Sequence, residues 1–202
     1  IANTGKATLE GISVTSSNSS VFAISGVPTS LAAGESQEVT ITMDANTVGD
    51  LYSDITVSAT DMTDVVFTVT GTVLPTGLSV IDFEDNLLPA RWENTGWTFS
   101  NGAAYASYSP SPYTMTTPRV VVSDGDLFVI KAKLEYYSSS YYVTVKGLDE
   151  NDNEVYSRKL SDNVLNNTSY NPVLLSNVPT TVKKFQFVGY YGYIDEIQGI
   201  TY

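Results

Sequence analysis

The sequence predicts an all-β protein of two sandwich domains, and three observations support this. Apolar and polar residues alternate with a period of two along most of the 202-residue chain. Clusters of glycine, proline, serine, asparagine and aspartate divide these stretches at short intervals. No segment shows the apolar spacing of a helix. With 42% hydrophobic and 16% charged residues, the chain has enough apolar side chains to bury a core.

The composition excludes several kinds of chemistry. A formal net charge of -12 repels nucleic acid phosphates and anionic lipid head groups, but suits divalent cations. The chain has no histidine and no cysteine, so it lacks an imidazole base, a thiol nucleophile, disulfides and a zinc-thiolate site. Any metal would need oxygen ligands, which favours calcium or magnesium.

We expect any targeting signal to lie outside this sequence. The sequence begins at Ile1, without a charged and then apolar leader, and it has no apolar run long enough to span a bilayer. We therefore expect it to be a fragment, or a processed form, of a longer protein.

The first half predicts an antiparallel sandwich of immunoglobulin type. Apolar and polar residues alternate in three segments that are predicted to be strands: "EVTITM" (38–43), "SDITVSA" (53–59) and "VVFTVTGTV" (65–73). Their second face is less polar than a single sheet facing water would require, which favours two packed sheets.

Four motifs in this half occur in a fixed order: N-T-G at 3–5, F-x-I at 22–24, A-G-E-S at 33–36 and G-T at 71–72. With them, residues 1–73 resemble the hydin-like, immunoglobulin-type repeats of bacterial surface proteins. The resemblance implies a structural or spacer role without catalysis, and a first strand that is partly missing.

The second half predicts a jelly roll. "LPTG" at 74–77 reads as a linker, which divides the chain into domains 1–75 and 76–202. So many strands in one domain are most simply arranged as two sheets. The candidate strands are 120–123, 127–137, 141–149, 154–160, 171–178, 183–191 and 194–202.

Three motifs carry a second resemblance: "DFEDNLLPARW" (82–92), "TTPRVVVSDGDLFVIKAKLEYY" (116–137) and "YYGYIDEIQGI" (190–200). From about residue 80 to 202 the chain resembles the cleaved-adhesin and related galactose-binding-like jelly rolls of bacterial secreted proteins. This resemblance implies adhesion or carbohydrate binding, often beside a separate catalytic or anchoring domain.

Two carboxylates in the last strand raise the question of a metal or catalytic site. Strict alternation places Asp195 on the face of Tyr193 and Ile197, and Glu196 on the opposite face, where we expect it to meet water. If Ile197 points inward, Asp195 is partly buried and needs a partner or a metal ion.

The resemblance implies that the first and last jelly-roll strands pair and hold a structural calcium ion there. The predicted ligands are Asp82, Glu84 and Asp195. Two alternatives remain open: a solvated strand end without an ion, and a catalytic acid pair. Glycoside hydrolysis needs two carboxylates facing across a cleft, and nothing in the sequence indicates one.

Tyrosine is the remaining signal of a binding site. The chain has 14 tyrosines, and seven lie in "YYSSSYY" (136–142) and "YYGY" (190–193). Neighbouring strand residues point to opposite faces, so one ring of each pair should be exposed and able to stack on a sugar. The alternative is ordinary sheet surface, where tyrosine is common. The candidate ligand-binding residues are Tyr137, Tyr141, Tyr190 and Tyr191.

Two other features are predicted to be structural. "DENDN" at 149–153 has the spacing of a calcium loop, but the glycine and the final glutamate that such a loop requires are missing. A hairpin turn is the better interpretation. Trp92 and Trp97 are expected to pack in the core rather than contact a ligand.

The sequence therefore predicts a non-catalytic adhesion or glycan-binding module on an immunoglobulin-like spacer, at the cell surface of a bacterium or secreted from it. The expected partner is a glycan or a host or cell-surface protein, without nucleic acid binding or direct membrane insertion. Two alternatives are an accessory region of a secreted protease or glycosidase whose catalytic domain lies elsewhere, and a purely structural stalk.

Overall fold

A computed structural model describes residues 1–202, and it confirms an all-β fold with no helix. No element of it is a helix long and apolar enough to cross a membrane. The 18 strands are β1 (Leu9–Glu10), β2 (Ser13–Ser16), β3 (Phe22–Ser25), β4 (Ser30–Leu31), β5 (Thr40–Met43), β6 (Gly49–Ser58), β7 (Val65–Val73), β8 (Val80–Asp82), β9 (Glu93–Asn94), β10 (Thr98–Ser100), β11 (Ala103–Ala106), β12 (Tyr113–Thr116), β13 (Phe128–Leu134), β14 (Tyr142–Leu148), β15 (Glu154–Leu160), β16 (Asn171–Leu175), β17 (Lys184–Tyr190) and β18 (Gly192–Gln198).

The chain forms two compact units, Ile1–Leu74 and Pro75–Tyr202. In the N-terminal unit, β2, β6 and β7 form one antiparallel sheet, while β3 pairs with β5 and β1 pairs with β4. Alternation along β6 turns Ile55 into a small core, where it is fully buried. Ser53, also fully buried, is accommodated because its hydroxyl lies 2.8 Å from the hydroxyl of Ser16.

The first residues of β7 are less buried than the rest of this core. Phe67 lies directly opposite Ile55 on β6, so the two side chains share the core-facing side of the sheet. Even so, Phe67 is 43% exposed and Val65 is 60% exposed. The second layer of strands therefore does not cover this edge of the unit.

The C-terminal unit is a sandwich of two antiparallel sheets. The first sheet has the order β10-β11-β18-β13-β16, with β8 also paired to β18; the second has the order β15-β14-β17-β12-β9. A large apolar cluster fills the space between them, including Phe128, Phe185 and Ile194. Trp92 and Trp97 belong to this cluster, which confirms that both pack in the core.

Residues 120–123, predicted to be a strand, are not one. Val120 and Val122 are buried, so the alternation is real. However, the N–H of Val120 donates to the carbonyl of Lys183 and the N–H of Val121 donates to the carbonyl of Thr201. Because the two bonds go to different segments, no ladder forms. Strands β9 to β12 were not predicted from the sequence, and each has four residues or fewer.

The segment 149–153 is the turn of the β14–β15 hairpin, as predicted. The Asp149 carboxylate accepts hydrogen bonds from the backbone N–H groups of Asn151, at 2.8 Å, and Asn153, at 2.9 Å. The side-chain amide of Asn153, which also donates to this carboxylate, lowers the pKa of Asp149 most, and the two backbone bonds add to this effect. Its carboxylate thus stabilises the turn, as aspartate commonly does.

Candidate ligand-binding surface

Tyr191 is the single residue that joins the two sheets of the C-terminal unit at their last strands. Strand β17 ends at Tyr190 in the second sheet, and β18 begins at Gly192 in the first. To make this crossing, Tyr191 adopts a φ of 52°. A bulky residue in this left-handed region is strained, typically by about 1 kcal/mol or more. The backbone of Tyr191 is therefore held in a conformation that glycine would adopt more easily.

Glycines on both sides of this crossing let the strands approach closely. A Cβ atom on Gly189 would lie 2.3 Å from the Cβ of Ala106 and 2.5 Å from the indole ring of Trp97. A Cβ on Gly192 would lie 2.6 Å from a methyl group of Val143. The two glycines of the Gly-Tyr-Tyr-Gly pattern are thus required by the packing beneath the tyrosines.

Six tyrosine rings gather around this crossing, and together they form what we call the tyrosine cluster. Tyr191 contacts Tyr141 with ring centroids 4.6 Å apart and Tyr190 at 5.4 Å. The other ring pairs in the cluster have centroids 5.8 to 6.3 Å apart. The members are Tyr108, Tyr136, Tyr141, Tyr142, Tyr190 and Tyr191.

The hydroxyl groups of the tyrosine cluster have no hydrogen-bond partner within the protein. Outside the cluster, by contrast, the Tyr105 hydroxyl donates to Glu135 and the Tyr202 hydroxyl accepts from the indole N–H of Trp92. Desolvation and neighbouring tyrosines raise the pKa of Tyr190 and of Tyr191. Both hydroxyls therefore stay protonated at neutral pH and remain free to donate.

An open cleft of about 300 Å³ lies beside these rings. Tyr108, Tyr142 and Tyr190 line it together with Pro110 and Pro112. Its volume is at the lower limit of ordinary ligand pockets. Ser109 and Ser140 complete the walls, which thus combine apolar rings with hydroxyl groups. This combination suits a ligand with both apolar faces and hydroxyl groups.

Three of the four predicted ligand-binding tyrosines, Tyr141, Tyr190 and Tyr191, lie in the cluster. The fourth, Tyr137, is 69% exposed and forms no pair with another ring. Sequence reasoning missed Tyr136 and Tyr142, because in the segment 136–142 it chose only one ring of each adjacent pair, Tyr137 and Tyr141. It also missed Tyr108, which lies in the proline-containing segment before β12, and no sequence signal connected that residue to the others.

The acidic end of β18 differs from the expected alternation. Lys131 on β13 lies opposite Glu196, but the next residue, Ala132, lies opposite Ile194. Asp195 is thus the extra residue of a β-bulge, which shifts the following side chains by one position. Ile194 and Ile197 both point into the core and are fully buried. The prediction that Asp195 and Ile197 share a face was therefore wrong.

Glu196 does not simply meet water, as we had expected. Its carboxylate lies 2.5 Å from the ammonium nitrogen of Lys131 and accepts a second hydrogen bond from the Gln198 amide. Only 16% of the Glu196 side chain is exposed. Desolvation raises its pKa, but the bonds to Lys131 and Gln198 outweigh this, so the net pKa is lowered. The side chain is thus held as a charged, paired group.

Further pairs extend this pattern over the outer face of the first sheet. The Tyr105 hydroxyl donates to Glu135, and the Tyr105 ring stacks on Tyr193 with centroids 4.3 Å apart. The Lys133 ammonium lies 5.0 Å from the centroid of the same Tyr193 ring. We call this set the charged network. Its members are Tyr105, Lys131, Lys133, Glu135, Tyr193, Glu196 and Gln198.

The three predicted calcium ligands do not form one donor group. The first and last strands of the unit do pair, but Asp82 lies opposite Glu196 rather than Asp195. The Glu84 carboxylate lies next to Gly102, and one of its oxygens is 3.0 Å from where a Cβ of that glycine would be. No group of three or more histidine, cysteine, aspartate or glutamate side chains is placed to hold a metal ion. Calcium binding stays a prediction.

Asp195 itself accepts no hydrogen bond from a side chain. Desolvation raises its pKa, and nearby Glu196 and Asp82 act in the same direction, while Lys131 and Lys133 oppose them. This is the pattern of a carboxylate in a partly covered position without a close partner.

The fold and this surface define a two-unit, all-β protein with an exposed aromatic cluster. Residues 1–72 match the family model of the HYDIN/CFA65/VesB-like, Ig-like domain, which confirms the first resemblance. The chain matches no curated protein sequence. Cleaved adhesin domains, to which the second resemblance points, are among the similar solved structures.

Two such domains come from Lys-gingipain of Porphyromonas gingivalis. Its K3 domain is 17% identical over 61% of this chain and 97% of that domain, with a TM-score of 0.45. Its K1 domain is 15% identical over 61% of this chain and 98% of that domain, with a TM-score of 0.44.

A third similar structure belongs to carbohydrate-binding modules of the β-sandwich superfamily. It is 12% identical and covers 96% of this chain and 97% of its own, with a TM-score of 0.34. Similarity at these levels concerns the type of fold, and no functional argument follows from it.

Proposed function

We propose that the C-terminal unit is a non-catalytic binding module that recognises a glycan at the tyrosine cluster, and that the N-terminal unit is a spacer. One observation carries the proposal: six rings gather at one place, and none of their hydroxyls is used by the protein itself. Rings of this kind stack on the apolar faces of sugars, while their hydroxyls bond to sugar hydroxyls. For this role we propose the extracellular or cell-surface location in a bacterium that the sequence resemblance implies.

The packing of the rings favours stacking over capture of a cation. An aromatic cage needs rings spaced around an empty centre, with each ring face within about 6 Å of the bound cation. Here the rings fill the space between themselves, at centroid distances of 4.6 to 6.3 Å. The surface left for a ligand is outward-facing, on Tyr108 and Tyr136, which are 57% and 59% exposed.

A glycan array probed with the labelled chain tests the proposal. We expect binding to a defined set of neutral glycans, and a loss of at least tenfold in affinity, about 1.4 kcal/mol, in Tyr190→Ala and in Tyr108→Ala. The matched control is Tyr52→Ala, because Tyr52 is an exposed tyrosine of the N-terminal unit. Circular dichroism confirms that each variant is folded.

Two results would contradict the proposal. A folded protein that binds no glycan on the array would leave a protein ligand or a structural stalk as the function. Equal losses in Tyr52→Ala and Tyr190→Ala would show that the signal does not depend on the tyrosine cluster.

A further inference from the structure

The outer face of the second sheet continues from the tyrosine cluster along β14 and β17. Side chains that lie directly opposite each other on neighbouring strands form rows across this face. The first row is Tyr142 and Tyr190; the second is Thr144, Val188 and Thr114; the third is Lys146, Gln186 and Thr116. The rows follow one another along the strands.

Each end of this face has its own cleft. One is the cleft of about 300 Å³ at Tyr142 and Tyr190. The other, of about 380 Å³, is lined by residues of the third row and by Glu93, which lies opposite Thr116. Tyr142 and Lys146 are four residues apart on one strand, which corresponds to about 13 Å. The two clefts are thus in line on one sheet.

The second row lies between the two clefts, and its side chains leave room for a ligand that extends from one cleft to the other. Thr144, Val188 and Thr114 are small, uncharged and half-buried. The row continues on β15 with Lys159, opposite Thr144, whose ammonium lies to the side of this path over the Tyr142 ring, 4.6 Å from its centroid. The Thr114 hydroxyl lies 3.0 Å from the hydroxyl of Thr95 at the edge of the sheet. A chain that leaves the tyrosine cluster along β17 would therefore pass over a shallow surface of methyl and hydroxyl groups.

The far cleft offers hydrogen-bond donors and acceptors together. Lys146 is held 2.8 Å from Glu154, and Lys184 is held 2.6 Å from Asp152. The amide of Gln186 makes one bond, at 3.3 Å, to Thr116. A sugar hydroxyl both donates and accepts, so this mixture suits it. Since the lysines are already paired with carboxylates, the cleft does not favour a strongly anionic ligand.

We propose that this face binds a linear, neutral oligosaccharide that extends along β14 and β17, with one end on the tyrosines and the other at Gln186 and Glu93. The proposal rests on the proposed function and makes it more specific: the ligand is an extended chain of several sugars rather than a single terminal sugar. Gln186 is then a residue that sets the preference for chain length.

Neutral linear glycans of graded length test this. The probes are glucose, cellobiose and cellohexaose, with the matching xylose and mannose series, measured by calorimetry against the full chain. We expect at least one series in which the hexasaccharide binds tenfold or more tightly than the monosaccharide. Gln186→Ala should lower affinity for that hexasaccharide by roughly three- to tenfold, the effect of one or two hydrogen bonds, and leave the disaccharide unchanged.

The control is Gln198→Ala, because Gln198 is on the outer face of the other sheet. It should leave affinity for every length unchanged. If hexasaccharide and monosaccharide bind equally, and Tyr190→Ala abolishes both, the extended site is wrong but the tyrosine site stands. Binding only to branched glycans would also overturn the extended site. A protein that binds no glycan at all contradicts the proposed function itself.

Discussion

The tyrosine cluster and the charged network lie on consecutive residues of the same segment, yet they use tyrosine in opposite ways. In the charged network, Tyr105 donates its hydroxyl to Glu135, and Lys131 is paired with Glu196. In the tyrosine cluster, the hydroxyls of Tyr141, Tyr190 and Tyr191 have no partner in the protein. Polar groups that bond to each other contribute to folding stability, whereas solvated groups without a partner can exchange water for a ligand.

The largest effect that would sharpen this comparison comes from removing one hydroxyl from each surface. Tyr105→Phe leaves Glu135 without its donor, and we expect it to lower the free energy of unfolding by about 1 to 2 kcal/mol, as for a hydrogen bond to a charged acceptor. Thermal and urea denaturation measure this change. Burial and the bond to Glu135 also raise the pKa of Tyr105, so this hydroxyl stays protonated at any ordinary pH.

Tyr190→Phe is the matched change in the tyrosine cluster. We expect its free energy of unfolding to stay within about 0.5 kcal/mol of the parent, because its hydroxyl has no hydrogen-bond partner within the protein. If both variants lost the same stability, the distinction between the two surfaces would be wrong.

Period-two alternation predicted the all-β fold because it reports directly which side chains are buried. It succeeded where strands form regular ladders, as in β15, whose bounds, Glu154–Leu160, match the predicted segment 154–160. It failed at 120–123, where buried valines alternate but their backbone bonds go to two different segments. Alternation indicates burial and does not by itself show that a ladder forms.

The candidate site could be predicted only in part, since the alternation rule assumes an unbroken strand. Tyr190 and Tyr191 were both predicted as ligand-binding residues, but alternation would place them on opposite faces; a positive φ at Tyr191 turns the chain from one sheet to the other and brings both rings into one cluster. At Asp195 a bulge brings Ile194 and Ile197 to the same side. Neither irregularity has a sequence signal, because neither position is a glycine.

Tyr108 shows a second limit. It reaches the cluster from the segment before β12, and its ring lies 5.8 Å from Tyr190, which is 82 residues away in the sequence. Such a contact depends on which strands are neighbours, and spacing along the chain contains no information about that.

A smaller effect is expected from the two acids of β18, whose charges should change the free energy of unfolding in opposite directions. Glu196→Gln should lower the free energy of unfolding by about 1 kcal/mol or less, because it removes the charge that pairs with Lys131. Asp195→Asn should leave it equal or slightly raise it, because a desolvated charge without a close partner is removed. Urea denaturation at neutral pH compares the two isosteric variants.

The pH dependence of the two variants provides the control. Since folding lowers the pKa of Glu196, its stabilisation is present at neutral pH and is lost as the pH falls through that lowered pKa. Since folding raises the pKa of Asp195, its ionised form destabilises at neutral pH, and this is relieved as the pH falls through the raised pKa. The difference between the variants should therefore shrink in acid. A destabilised Asp195→Asn would contradict this assignment.

The smallest expected effect is that of calcium on the acidic end of β18. Calcium needs about six to eight oxygen ligands. Asp82, Glu84 and Asp195 do not form one donor group, so an ion bound by only one or two of these carboxylates should raise the melting temperature only slightly in excess calcium relative to EDTA. Differential scanning calorimetry of the full chain measures it, with Asp195→Asn beside Glu93→Gln as a control carboxylate on the other sheet. A calcium-dependent rise in melting temperature that Asp195→Asn removes and Glu93→Gln retains would establish the ion implied by the resemblance, and would make this acidic end a ligand site in its own right rather than only a part of the charged network.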